Sequence, residues 1–192
     1  APGMRVLDAC AAPGGKSFAC AIAMGDKGEI LSCDIHPHKR ALIDAGARRL
    51  GLTCLHSAIQ DAKVHQEEWV EQFDLVLADV PCSGLGIIRK KPDIRYKDPH
   101  PLKRLPAVQS AILNNVSSYV KPGGILVYST CTLLERENGA VVDDFLACHP
   151  EYIPEPFTLP CPVGEAPEGR MTLWPHVHDT DGFYIAKLRR RL

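Results

Sequence analysis

Two cysteines, Cys82 and Cys131, each stand just past the end of a predicted β-strand, and their thiols are the groups in this sequence most suited to covalent chemistry. Cys131 lies near the end of the run 126–132, which begins as apolar and β-branched residues and finishes as Ser-Thr-Cys-Thr. Cys82 lies in the segment 79–84, which follows an earlier apolar run. Open α/β sheets bind ligands at the carboxyl ends of their strands. We therefore expect both thiols to face one crevice.

The other six cysteines are interpreted differently. A free cysteine is most often a small, buried, apolar side chain. None of the six lies in a Pro-Cys-Ser-Gly or Ser-Thr-Cys-Thr context such as those of Cys82 and Cys131. We assign this packing role to Cys10, Cys20, Cys33, Cys54, Cys148 and Cys161.

A loop of small residues follows the first predicted strand and precedes a predicted helix at about 17–24. Its sequence is Cys10-Ala11-Ala12-Pro13-Gly14-Gly15-Lys16. Small residues let a ligand approach the backbone closely, and a helix N-terminus offers free N–H groups. The loop lacks the first glycine of a P-loop, and it is not the Gly-x-Gly-x-x-Gly of dinucleotide sites. Alone, such a loop is weak evidence for a binding site.

Four aspartates, Asp8, Asp34, Asp61 and Asp79, end the first four predicted strands in turn. Each alone could be a helix N-cap, but together they favour a cofactor that carries a nucleoside, because a carboxylate at this position accepts hydrogen bonds from a ribose diol. Asp34 alone is compatible with NAD, although the glycine fingerprint is wrong and hydride transfer requires no thiols. S-adenosylmethionine is also compatible: loop N–H groups can meet its carboxylate, and the aspartates suit its positive end.

The elements that position these residues alternate between strand and helix. Such alternation predicts an α/β fold with a doubly wound, mostly parallel sheet and right-handed crossovers. The proline-rich segment 150–167 is predicted to be irregular, with at most one short strand. Strands are predicted at 4–9, 29–33, 53–57, 73–78, around Tyr128 and at 183–188, and helices at 17–24, 37–50, 105–120 and 136–148.

Length and composition indicate a globular domain. A chain of 192 residues fits one domain with a substantial core. No apolar run approaches the ~20 residues of a membrane span, and no signal peptide is visible. We therefore predict a reducing, cytoplasmic location and free thiols. No Cys-x-x-Cys pair occurs, and His176 and His178 are assigned to local hydrogen bonds, so no metal site is predicted.

Positive charge is concentrated in one segment. The net charge of −1 and the pI of about 6.8 do not by themselves indicate a nucleic-acid-binding protein. The segment 89–106 directly follows the Cys82 loop, where cations could hold phosphates while a base is flipped into the crevice. A solvated surface is the alternative. The cations are Arg89, Lys90, Lys91, Arg95, Lys97, Lys103 and Arg104.

The motifs together resemble those of the RNA cytosine-C5 methyltransferases, and among them the bacterial ribosomal RNA small-subunit methyltransferase B group, also called Sun or Fmu. The matching segments are 8–17, 79–84 and 128–132 with Glu137-Asn138, supported by 92–95 and 181–184. The resemblance implies a Rossmann-like class I methyltransferase fold, S-adenosylmethionine as cofactor and a cytosine in ribosomal RNA as target.

The resemblance also implies residue roles. It makes Cys131 the nucleophile and gives Cys82 a part in product release. Members usually carry an RNA-binding region ahead of the first strand, so we expect residues 1–192 to be a single catalytic domain that works beside a missing domain of the same protein. Cofactor contacts are implied for Cys10, Ala11, Ala12, Pro13, Gly14, Gly15, Lys16, Asp34, Asp61 and Asp79.

The chemistry explains why two thiols are needed. A thiolate that adds to carbon 6 of cytosine makes carbon 5 nucleophilic toward a sulfonium methyl group. A second thiol can help to remove the carbon 5 proton, after which the first thiolate leaves. Asp79 is a further candidate to accept a hydrogen bond from the cytosine amino group. Two alternatives stay open: a DNA or small-molecule methyltransferase with structural cysteines, and a non-catalytic RNA-binding domain.

Overall fold

The computed structural model describes residues 1–160 and 162–192, and its main feature is a sheet flanked by helices on both faces. Cys161 lies outside the described residues. The strands are β1 (Arg5–Asp8), β2 (Glu29–Asp34), β3 (Leu55–Ile59), β4 (Phe73–Asp79), β5 (Val120–Thr130), β6 (Tyr152–Pro154), β7 (Phe157–Leu159), β8 (Gly164–Ala166), β9 (Arg170–Leu173) and β10 (Phe183–Arg190). The helices are α1 (Gly15–Ala23), α2 (Pro37–Leu50), α3 (Pro99–Leu102), α4 (Leu105–Ser117), α5 (Gly139–Cys148) and α6 (Pro175–His178).

The order in which the strands are added to the sheet reverses between β1 and β4, near the centre of the sheet. The order is β3-β2-β1-β4-β5-β10-β6, and β9 pairs with the other part of the outer edge of β10. Strands β1 to β5 are mutually parallel, and β10 runs antiparallel to β5. The chain builds outward from β1 to β3 and then returns to place β4 on the other side of β1. Ligands of open α/β sheets bind at such a switch point, outside the carboxyl ends of the strands.

Two clusters of buried side chains hold the helices to the sheet. On one face, Leu126 and Tyr128 of β5 pack with Leu113 of α4 and Phe145 of α5. The second cluster joins β1 and β2 to α1 and α2. The central strands are therefore covered by helices, as the apolar runs of a parallel sheet require. The fold class predicted from the sequence is confirmed.

The prediction of at most one strand in segment 150–167 is wrong. Strands β6, β7 and β8 all begin and end within this segment. Each has three residues, too few to show a periodicity, and their pairing partners are set by tertiary contacts: β6 pairs with β10, and β7 pairs with β8. The signal that a sequence pattern uses is absent from strands of this length.

Several predicted boundaries differ from those observed. The helix predicted to reach residue 120 ends at Ser117, because Val120 already belongs to β5. Helix α5 begins at Gly139, after a 3₁₀ turn at Glu135–Glu137. The basic segment, predicted as a loop, contains the 3₁₀ helix Pro92–Tyr96 and the short helix α3. Within the described residues, no helix combines the length and hydrophobicity that a membrane crossing requires.

Candidate active site

The structure brings the two predicted thiols together. Strands β4 and β5 are parallel neighbours with Asp79 opposite Ser129, so the residues that follow each strand emerge side by side. The Sγ atoms of Cys82 and Cys131 are 3.2 Å apart, and the backbone N–H of Cys131 points to the sulfur of Cys82 at 3.3 Å. Both side chains are half-buried. The pair can thus be reached by a substrate while it is partly shielded from water.

The two thiols have opposite acidities because they share one hydrogen bond. When Cys131 is a thiolate, the Cys82 thiol donates to it, and this bond lowers the pKa of Cys131 to about 7, against the opposing effects of burial and of the negative charge on Asp79. The same bond, together with burial, raises the pKa of Cys82 above that of an ordinary thiol. Because thiolates are the nucleophilic form, Cys131 is the better nucleophile of the two.

A lysine from the small-residue loop joins the thiol site. Lys16, in the first turn of α1, places its Nζ 2.5 Å from Oδ2 of Asp79. The hydroxyl of Ser129 donates to the other carboxylate oxygen of Asp79 at 2.7 Å. The positive charge of Lys16 also favours the thiolate of Cys131. Asp79 is therefore held in one orientation beside the nucleophile.

The loop after Cys82 is fixed against Cys131 through its backbone. The N–H of Gly86 donates to the Cys131 carbonyl at 2.9 Å, and the N–H of Gly182 donates to the Gly86 carbonyl at 2.8 Å. A Cβ atom at Gly86 would overlap the backbone of Gly182, so only glycine permits this approach. Sequence reasoning missed Gly86, although a glycine four residues beyond a candidate thiol was the available signal.

A cavity of about 370 Å³ opens beside the thiol site, at the switch point of the sheet. Asp79 contributes to its wall and so connects the cavity to the thiols. Five of the residues predicted to contact a cofactor line it, namely Cys10, Ala12, Asp34, Asp61 and Asp79. Among the described residues of the loop, Ala11, Pro13, Gly14, Gly15 and Lys16 are not part of its lining.

The walls of the cavity suit a nucleoside with a charged tail. Asp34 is buried, with Oδ1 accepting the N–H of His36 at 2.9 Å and Oδ2 lying 3.8 Å from Nζ of Lys39. A carboxylate there can accept ribose hydroxyl groups. Next to it, the side chain of Ile35 is 49% exposed and offers an apolar surface to a flat ring. The residues present therefore fit S-adenosylmethionine.

Sequence reasoning missed the apolar part of this wall. Besides Ile35, it includes Ala62, Pro81 and two residues of α4, Val108 and Ile112. Each is a single hydrophobic residue in a loop or on a helix face, which gives no motif. Their common location depends on how α4 packs across the strand ends.

The small-residue loop keeps its shape through its own backbone. Gly14 has φ of +110°, and a side chain there would overlap the ring of Phe18. The N–H of Ala11 donates to the carbonyl of Cys33 at 2.8 Å, and that of Gly14 to the carbonyl of Ala11 at 2.7 Å. These bonds hold the start of α1 at the carboxyl ends of β1 and β2.

Asp8 differs from the other three strand-end carboxylates, because it is buried beneath the loop and is not part of the cavity lining that the structure describes. Its Oδ2 accepts the hydroxyl of Ser17 at 2.7 Å, and Ser17 in turn accepts that of Ser32 at 2.8 Å. Burial raises the pKa of Asp8 to about 6. Asp8 thus helps to hold the start of α1, and with it the small-residue loop, against the sheet.

The basic segment is anchored at one end and exposed over the rest. Lys90 forms a 2.5 Å ion pair with Asp181, a buried carboxylate, and Arg89 lies 3.8 Å from the same residue. The other five cations, Lys91, Arg95, Lys97, Lys103 and Arg104, are exposed. Tyr96 is 87% exposed among them. This surface is available for a polyanion.

Metal-ligating groups do not converge within the described residues, where no cluster of three His, Cys, Asp or Glu side chains suits an ion. His178 instead makes a local bond, its Nδ1 accepting the N–H of Trp174 at 2.9 Å. The seven described cysteines are unbonded thiols.

Comparison with known sequences gives a consistent picture. The sequence model described as 16S rRNA methyltransferase RsmB/F matches residues 1–189. The probable ribosomal RNA small subunit methyltransferase B of Bacillus subtilis (strain 168) is 45% identical over 192 residues, which cover 97% of this chain and 43% of that protein. The ribosomal RNA small subunit methyltransferase F of Aeromonas salmonicida (strain A449) is 36% identical, with 96% and 40% covered. The chain spans less than half the length of these curated relatives.

Solved structures agree with the sequence comparison. The crystal structure of PH0851 superimposes with a TM-score of 0.90 at 34% identity, covering 98% of this chain and 43% of that one. NSun6 from Pyrococcus horikoshii, solved with SFG, gives a TM-score of 0.82 at 28% identity, with 97% and 48% covered. A likeness that extends through both thiol loops and nearly all of the sheet leaves one conclusion: this chain belongs to the 16S rRNA methyltransferase RsmB/F family, which uses S-adenosylmethionine.

Proposed function

We propose that this chain is the catalytic domain of an enzyme that methylates carbon 5 of a cytosine in small-subunit ribosomal RNA through a covalent bond to Cys131. The observation that carries this proposal is the pair of thiols, 3.2 Å apart and of opposite acidity, beside a cavity suited to the cofactor. Membership of the RsmB/F family supports the RNA substrate.

The cavity residues are proposed to hold S-adenosylmethionine, which when bound supplies an electrophilic methyl group. Asp34 and Asp61 would accept hydroxyl groups of the nucleoside. The N–H groups at the start of α1 would meet the carboxylate of the methionine tail. Asp79, at the boundary between the cavity and the thiols, would face the reacting end.

The Cys131 thiolate is proposed to attack carbon 6 of the cytosine. Formation of the S–C6 bond moves electron density to carbon 5, which then takes the methyl group. To restore the aromatic ring, the carbon 5 proton must pass to a base, and the electrons of the S–C6 bond must return to Cys131. The enzyme then regains its starting thiolate.

Cys82 is proposed to act in this second half of the reaction. In the resting site, the hydrogen bond to Cys131 is the main reason for the raised pKa of Cys82. Once the sulfur of Cys131 is bonded to carbon, that thiolate acceptor is gone, so Cys82 can release its own proton to water more readily. The Cys82 thiolate can then accept the proton from carbon 5. The coupling between the thiols would thus order the two steps.

RNA recognition is proposed to involve two further regions. Asp79 would accept a hydrogen bond from the cytosine amino group. The exposed cations of the segment 89–106 would contact phosphates, and Tyr96 would stack on a base. A neighbouring domain of the same protein would contribute the remaining contacts, and a cytoplasmic location stays a prediction.

The test is methylation of small-subunit ribosomal RNA fragments by the full-length protein, with the methylated position mapped by bisulfite sequencing. Cys131→Ala should lose both methyl transfer and covalent adduct, because no nucleophile is left. Cys82→Ala should form an adduct that is released slowly and therefore accumulates on a denaturing gel. Cys148→Ala changes an exposed cysteine outside the site and serves as the control.

Two results would contradict the proposal. Methyl transfer that persists in Cys131→Ala would favour the alternative in which the cysteines are structural. Binding of S-adenosylmethionine in calorimetry, without methylation of any RNA fragment, would favour a binding module.

A further inference from the structure

Asn138, a buried residue in the turn between β5 and α5, holds the chain on both sides of Cys131. The hydroxyl of Thr130, the residue before Cys131, donates to Oδ1 of Asn138 at 2.6 Å. Nδ2 of Asn138 donates to the carbonyl of Thr132, the residue after Cys131, at 3.0 Å. One amide group thus fixes both neighbours of the nucleophilic thiol.

The preceding residue, Glu137, does the same for Cys82. Its Oε2 accepts the backbone N–H of Ser83, the residue after Cys82, at 2.8 Å. The same oxygen accepts Nε2 of Gln109 at 3.1 Å, and this amide nitrogen also donates to the carbonyl of Pro81 at 3.0 Å. Glu137 and Gln109 together therefore fix the residues on both sides of Cys82.

The hydrogen bonds around Cys131 and those around Cys82 are connected to each other. The hydroxyls of Ser83 and Thr132 are 2.7 Å apart. The hydroxyl of Tyr128 in β5 donates to the backbone carbonyl of Glu137 at 2.6 Å. Most bonds in this network end on a residue next to a thiol or on the strand that leads to it, so the network constrains the positions of the two sulfur atoms.

Burial of Glu137 is costly. Its side chain is fully buried, its Oε1 has no partner, and it forms no ion pair with any residue that the structure describes. A carboxylate without a counter-charge in the interior lowers stability unless its hydrogen bonds offset the loss of water. A turn between a strand and a helix does not need such a group, whereas the Cys82 loop uses it directly.

We propose that Glu137 and Asn138 are positioning residues with separate tasks: Asn138 places Cys131 for attack, and Glu137, with Gln109, places Cys82 for release of the product. This inference rests on the proposed function, because attack and release are steps of that reaction. The two residues are adjacent in the turn that precedes α5, so one short segment holds both thiol loops.

Separate tasks predict different defects. Asn138→Ala should slow formation of the covalent adduct by about 10²-fold, because a displacement of about 1 Å can cost that much. Glu137→Gln, which keeps the volume but weakens the hold on Ser83, should instead form the adduct at nearly the normal rate and release it slowly. A purely structural role would reduce both steps alike.

The experiment uses the full-length protein and a ribosomal RNA fragment. Each substitution is made in two backgrounds, the wild-type protein and Cys82→Ala. In Cys82→Ala, adding Glu137→Gln should change nothing further, since its target is already removed, whereas adding Asn138→Ala should suppress the adduct. Thr130→Val removes only one hydrogen bond of Asn138 and should show a milder form of the same defect, in case Asn138→Ala does not fold. Asn114→Ala, on the exposed face of α4, is the matched control.

A second readout does not require methylation. The rate at which iodoacetamide alkylates Cys131 is measured by mass spectrometry as a function of pH. The inflection of this profile depends on the hydrogen bond between the two sulfurs. Asn138→Ala and Thr130→Val should move its inflection to higher pH, because the Cys131 thiolate loses its aligned donor.

The outcomes separate the two proposals. If the wild-type protein methylates no RNA fragment and Cys82→Ala forms no adduct, the proposed function fails, and the alkylation profile alone decides whether Asn138 positions Cys131. If the wild type is active but Asn138→Ala and Glu137→Gln slow attack and release equally, or leave the alkylation profile and adduct unchanged, the positioning roles are overturned.

Discussion

Cys82 and Cys131 are the same side chain at the ends of two neighbouring strands, yet the structure gives them different chemistry. Cys131 has its pKa lowered to about 7, whereas the pKa of Cys82 is raised. Both are half-buried, so burial does not separate them. The difference comes from the hydrogen bond between the two sulfurs, which favours the thiolate at Cys131 and the protonated thiol at Cys82.

A third cysteine shows what burial does without such a bond. Cys33, at the end of β2, is fully buried, and this raises its pKa to about 12. Its thiol is therefore unreactive at neutral pH. The comparison teaches that a position at a strand end is not sufficient for reactivity, since the nucleophile also needs a donor at its sulfur.

The largest effect is expected from a thiol oxidant. Diamide should join Cys82 and Cys131 in a disulfide at least ~10²-fold faster than any pair that includes Cys33, because the two sulfurs are already close together. The thiols lose two electrons and two protons, which reduce diamide to its hydrazine. Peptide mapping by mass spectrometry identifies the pair. A different disulfide, or none, would show that the sulfurs are not neighbours in solution.

Removal of the donor should have the next largest effect. Cys82→Ala should raise the pKa of Cys131 from about 7 toward the ~8.5 of an ordinary thiol, which lowers its alkylation rate at pH 6.5 by up to roughly 25-fold. Cys82→Ser keeps a hydroxyl donor and should restore part of the rate. The measurement is the pH profile of iodoacetamide labelling. A lower inflection in Cys82→Ala would mean that the donor and acceptor are reversed.

The smallest effect is expected from the lysine beside the pair. Lys16→Met removes a positive charge and leaves the negative charge of Asp79 uncompensated. The pKa of Cys131 should therefore rise by roughly a few tenths, and alkylation at neutral pH should fall about 1.5- to 2-fold. Lys63→Met, on the cavity rim beside Asp61, is the matched control. Equal changes in both variants would assign the effect to the general charge of the surface.

Much of the site follows from local sequence. Cys82, Cys131 and the three aspartates of the cavity wall can be predicted because each follows an apolar run, and such runs become parallel strands whose carboxyl ends share one edge. Other parts of the site could not be assigned in this way, because their partners lie on other elements. They are Gly86, Ile35 and the hydrogen bonds by which Gln109, Glu137 and Asn138 hold the neighbours of the thiols. Of these, Glu137 and Asn138 were recognised only as part of a motif, without a role.

The sequence by itself determined the alternation of the longer strands and helices, the fold class and the two cysteines, since hydrophobic periodicity and turn residues act over short distances. Only the tertiary structure decided which thiol has the lower pKa and which residues hold each thiol in place. The hydrogen bond between the thiols depends on the placement of two side chains that are 49 positions apart in the sequence. Packing of α4 and α5 against the sheet sets that placement, and no local pattern encodes it.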